Sequence, residues 1–125
     1  MTITGGGSGD LLVATGSLNN LVAAASGNET LSAAGATGNN VLFGGSGSDL
    51  IAAGSGHDTI VAGPGASTIF GGAGGTDIFA GASSALIVDG SGGDYVQMGS
   101  GNAKSSPGSA PTCSASPTAR RAATT

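Results

Sequence analysis

The chain has 125 residues, of which 26 are glycine, 3% are aromatic and none is tryptophan. So few large apolar side chains exclude a conventional core of two packed layers, and so much glycine raises the conformational entropy lost on folding. The net charge of −4 conceals a segregation: all seven acids (Asp10, Glu29, Asp49, Asp58, Asp77, Asp89, Asp94) precede all three bases (Lys104, Arg120, Arg121). An acidic surface with no base to pair it argues against nucleic acid and for a cation as partner.

At the amino end Met1-Thr2-Ile3-Thr4 runs into Gly5-Gly6-Gly7 with neither a charged start nor an apolar stretch, and no targeting segment is read there. No run approaches the length of a membrane span. From Gly5 a nine-residue frame takes over. Its aliphatic eighth position falls on Leu12, Leu21, Leu31, Leu42, Ile51, Ile60, Ile69, Ile78, Ile87 and Val96. The steps are nine, except ten before Leu31 and eleven before Leu42, which predicts bulges or insertions between Ala23 and Gly35.

The frame is clearest at residues 44–61. There Gly-Gly-Ser-Gly-Ser-Asp-Leu-Ile-Ala is followed by Ala-Gly-Ser-Gly-His-Asp-Thr-Ile-Val. A period this short sets one turn and one short strand per unit, so the chain should stack as a coil. The expected fold is all-β: a parallel β-roll, or β-solenoid, of about ten nonapeptide units over residues 5–97. The eighth side chain points inward and neighbouring coils pair in parallel. The ninth position then faces outward, stacking Phe43, Val61 and Phe79 in a stripe. That stripe either contacts a neighbouring domain or repeat, or shields the strands of a thin roll.

The turns carry the chemistry. Glycines at positions two and four (Gly45, Gly47, Gly54, Gly56) admit backbone angles closed to other residues and turn carbonyl oxygens toward a common point. The sixth-position Asp adds a carboxylate there. Calcium takes six to eight hard oxygen ligands, more than one turn supplies, so two stacked turns are needed to complete a site. Catalysis lacks support. The single histidine, His57, lies in a turn beside Asp58, and no HExxH, GxSxG or GxxxxGK[ST] occurs. A Thr/Asn row that could order ice-like water begins at Thr37-Gly38-Asn39-Asn40, Thr59 and Thr68. It is broken by Asp77, Leu86 and Tyr95.

Composition changes at Lys104. Residues 104–125 are rich in Ser, Ala, Pro and Thr, hold the only cysteine (Cys113), and are expected to form a disordered tail.

At Gly44–Val61 the chain resembles the RTX family of glycine-rich nonapeptide repeats, and the resemblance extends over roughly Gly5–Gln97. It implies a calcium-stabilised β-roll with two units per coil and calcium between turns two repeats apart. It also implies a segment of an exported bacterial protein, hence an extracellular location. Carrying the ligand position across gives one column of Asp10, Glu29, Asp49, Ser67, Ala85 and another of Asn19, Asn40, Asp58, Thr76, Asp94. The sites so implied are Glu29 with Asp49 and Asn40 with Asp58, with Asp10 and Asp94 as further candidate ligands. Calcium should be weak or absent between Ser67 and Ala85. The expected function is calcium binding coupled to folding. The alternative is an ion-independent structural or adhesive solenoid whose sites have decayed.

Overall fold

The computed structural model describes residues 1–81, 84–101, 104–106 and 112–115, the last two stretches by backbone only. Its strands are β1 (Thr2–Thr4), β2 (Leu11–Gly16), β3 (Leu21–Ala23), β4 (Thr30–Ala36), β5 (Val41–Phe43), β6 (Leu50–Ala52), β7 (Asp58–Val61), β8 (Thr68–Phe70), β9 (Thr76–Phe79), β10 (Leu86–Val88), β11 (Asp94–Gln97), β12 (Lys104–Ser106) and β13 (Thr112–Ala115). Odd strands form a seven-stranded sheet and even strands a six-stranded one, each in simple order along the stack. Every pairing is parallel, so each coil contributes one strand to each sheet. This is the β-solenoid that the nine-residue period predicts.

Apart from β2 and β4, the strands are short because only three or four residues per unit lie between glycine turns, and the pleat sends the aliphatic one inward. Leu12, Leu31, Ile51, Ile69 and Ile87 make one inner column, and Val22, Leu42, Ile60, Ile78 and Val96 the other, none more than 4% exposed. Burial of each such side chain stabilises the fold by about 1.5–3 kcal/mol. Alanines at the corners (Ala53, Ala62, Ala80) close the narrow ends of the core. Turn lies on turn so closely that a Cβ on Gly47 would occupy the space of the Gly27 carbonyl. The strand ladder and these stacked turns replace the second packed layer that the composition cannot supply.

The structure corrects the frame in the second unit. Val22, fully buried, is the inner residue, whereas Leu21 is 37% exposed. Leu21 pairs with Val41 and Val22 with Leu42. The sixth position of that unit is therefore Asn20, not Asn19. The extra residues lie partly within the stretch the aliphatic steps suggest, at Ala34 and Gly35, and partly before it, in β2. The register between β2 and β4 shifts after Val13, and Gly16 adopts φ +95°. In the next coil Ala34 and Gly35 bulge into solvent between buried Ala33 and Ala36. Both bulges fall on the same corner of the roll, one above the other.

Most of the tail expected to be disordered lies outside the described residues. Its two described stretches, β12 and β13, extend the two sheets by pairing with β10 and β11.

Candidate metal centre

The sixth residue of each unit sits where a turn enters a strand, and its side chain points back under the turn. In-register stacking therefore sorts these residues into two columns. The first is Asp10, Glu29, Asp49, Ser67 and Ala85; the second is Asn20, Asn40, Asp58, Thr76 and Asp94. Glu29, Asp49, Asn40, Asp58 and Asp94 are all buried, at no more than 4% exposure. Their environments differ between the columns.

In the first column the carboxylates of Glu29 and Asp49 are short of donors. Asp49 Oδ1 accepts the backbone N–H of Glu29 at 3.0 Å. Asp49 Oδ2 and both Glu29 carboxyl oxygens are buried with no hydrogen-bond partner. They stand beside a shallow groove of about 380 Å³ lined by Asn28, Ser48 and Thr68, among others. Glycine keeps the space around them open. A Cβ on Gly44 would lie 2.8 Å from Asp49 Oδ2, and one on Gly27 would lie 2.9 Å from Glu29 Oε1. Gly45, at φ +79°, turns the chain into this site in a conformation that a side chain would strain. Burial pushes the Glu29 carboxyl above the usual glutamate range. The adjacent Asp49 adds to the shift, as an acceptor for the protonated form and as a like charge, and Asp10 adds a smaller repulsion. Asp10, half-buried, turns its Oδ2 to the N–H groups of Gly6 (3.0 Å) and Gly7 (3.1 Å). Ser67 Oγ meets the N–H of Asp49 only at 3.5 Å, and Ala85 offers no oxygen from its side chain.

In the second column every carboxylate is satisfied by N–H groups. Asp58 Oδ1 accepts the backbone N–H of Asn40 at 2.7 Å and its Nδ2 at 2.8 Å, while Oδ2 accepts the N–H of Gly54 at 2.8 Å. Asn40 also donates to the Gly38 carbonyl at 2.8 Å, and its Oδ1 takes the backbone N–H (3.2 Å) and the Nδ2 (2.8 Å) of Asn20. Asp94 repeats the Asp58 pattern, accepting from Thr76 N and Gly90 N, each at 2.8 Å. Gly56 stacks its Cα against the Gly38 carbonyl, which occupies the place a Cβ would need.

The structure thus brings together both pairs read from the sequence, and makes them different. Glu29–Asp49 is a pair of donor-starved carboxylates, whereas Asn40–Asp58 is a closed hydrogen-bonded rung. Sequence reasoning missed Asn20 and a further row at position five. In that row Asn19 Oδ1 accepts from Asn39 N, and Asn39 Oδ1 from His57 N. The signal was present: Asn19-Asn20 and Asn39-Asn40 are twenty residues apart, the spacing of that coil. Hard oxygens near backbone carbonyls, with glycine-made space and no donors, are what a calcium ion needs. Among the described residues no three His, Cys, Asp or Glu side chains cluster. An ion would therefore draw its remaining ligands from the turn carbonyls.

These features define a parallel β-solenoid with carboxylate-bearing glycine turns. The family model for the RTX calcium-binding nonapeptide repeat matches in four copies, over residues 24–60, 34–69 and 53–84. Over residues 24–84 the chain therefore belongs to the RTX calcium-binding repeat family. Comparison with curated proteins and with solved structures found no match. No helix among the described residues is long and apolar enough to cross a membrane.

Proposed function

We propose that this chain is a non-catalytic calcium-binding β-roll module, and that its calcium is held by Glu29 and Asp49 with carbonyls of the stacked turns. The observation that carries this reading is the set of three buried carboxylate oxygens, Glu29 Oε1 and Oε2 and Asp49 Oδ2, that no hydrogen bond satisfies. A carboxylate taken out of water without donors destabilises the fold unless a cation faces it or a proton neutralises it. Gly45 and Gly47 shape the turn that carries Asp49. Binding to the folded state alone stabilises it by mass action, so calcium promotes folding. The affinity belongs with extracellular modules, on the order of 10⁻⁴–10⁻³ M. RTX repeats are typical of secreted bacterial proteins, which supports an extracellular setting where calcium at that level is available.

The test is a calcium titration followed by far-UV circular dichroism and calorimetry, with magnesium as control. The expected result is a gain of β signal and thermal stability near millimolar calcium, lost on Glu29→Gln and absent with magnesium. A β spectrum and melting temperature indifferent to chelator would instead favour the ion-independent solenoid.

A further inference from the structure

We propose that calcium is confined to one side of the roll, and that on the other side Asn40 is the residue that excludes it from Asp58. The inference rests on the calcium reading above and adds where the ion does not go. The two columns share the same repeat of turn and parallel strand, so the difference starts from their side chains. Three successive rungs of the first column carry Asp10, Glu29 and Asp49, and the corresponding rungs of the second carry Asn20, Asn40 and Asp58. Adjacent rungs are about 4.8 Å apart, close enough for stacked carboxylates to repel in a dry corner. Two amides in place of two carboxylates remove that repulsion.

The amides also supply what a cation would otherwise supply. Asn40 ties its own coil to both neighbours: its Nδ2 serves the Gly38 carbonyl and Asp58 Oδ1, and its Oδ1 serves Asn20. With the Gly54 N–H on Oδ2, both Asp58 oxygens face the positive ends of N–H dipoles. A calcium ion at Asp58 would have to displace those donors, and their dipoles would then point at it unfavourably. The turn glycines differ in the same sense. Gly45, beside the open carboxylate of Asp49, has a positive φ. Gly54 and Gly90, whose N–H groups are gripped by Asp58 and Asp94, do not. The second column is an amide ladder that holds its side of the coil shut without metal.

The test uses the whole chain with Asn40→Asp, Glu29→Gln and Asp58→Asn. It reads calcium stoichiometry by equilibrium dialysis and thermal unfolding in chelator. Asn40→Asp should lower the unfolding temperature in chelator, add one bound calcium per chain, and recover stability with calcium beyond the wild-type gain. Glu29→Gln should weaken calcium about tenfold more than Asp58→Asn does. If Asn40→Asp left both the chelated stability and the stoichiometry unchanged, the ladder would not be the barrier. If it failed to fold even with calcium, the comparison of Glu29→Gln with Asp58→Asn would decide, and a larger loss from Asp58→Asn would overturn the proposal. A wild-type chain that bound no calcium at all would overturn the functional reading instead. The ladder would still be read by the effect of Asn40→Asp in chelator.

Discussion

Glu29 is the residue at which burial and charge are most at odds. Its carboxyl is 2% exposed and its pKa is raised, first by desolvation, then by Asp49 and Asp10. Because the folded pKa lies above the unfolded one, the folded chain binds the extra proton more tightly. This contribution is fully present below the ordinary glutamate pKa and is lost as pH rises through the raised value. In chelator, stability should therefore be greatest in mild acid and decline toward neutral pH, and Glu29→Gln should flatten that decline. On the proposed calcium reading, calcium should invert the dependence by binding the ionised pair. Urea unfolding at a series of pH values, with and without calcium, measures both slopes. A chelated stability that rose with pH through the same range would contradict this account of Glu29.

The turn is the element that decides whether coils can stack. Gly47 lies against the Gly27 carbonyl, whereas Gly6 has nothing within 4 Å of where its Cβ would be. Gly47→Ala should thus cost about 2–4 kcal/mol, because backbone of the neighbouring turn must move. Gly6→Ala should change stability by no more than about 0.5–1 kcal/mol, in either direction. Equal effects in chemical denaturation would mean that turn contact does not limit the stack. Much of this element was legible in the sequence, because a glycine-rich turn and an inward aliphatic residue every nine positions leave few other ways to bury the chain. The second unit was misread for a physical reason. Leu21 and Val22 are both aliphatic and Asn19 and Asn20 are both amides, so periodicity could not choose between them. The register shift between Val13 and Thr15 made the choice. The candidate site was legible in its residues but not in its bonding. Asn40 reads from sequence as a weaker version of an aspartate ligand, and only its contacts, accepting from Asn20 and donating to Asp58, reveal it as a bridge that satisfies the Asp58 carboxylate.

Across the whole molecule each strand pairs with the strand one coil away, so contacts join residues at nearly constant separation. Val41 meets Thr59 and Leu50 meets Thr68, both eighteen residues on; Thr30 meets Leu50 at twenty. The closure entropy of each coil is thus nearly the same wherever it lies in the stack. Under tension applied at its ends, such a molecule should not rupture in one event but pay out one coil at a time. Each released coil would lengthen the tether by about 60 Å at full extension. Single-molecule pulling would see a staircase of nearly equal steps. Calcium should raise the force only for steps that open the Glu29–Asp49 corner. A single rupture of the whole array would show instead that the coils are mechanically one unit. Released coil by coil, the roll would act as a graded tether whose strongest rung is set by the surrounding ion.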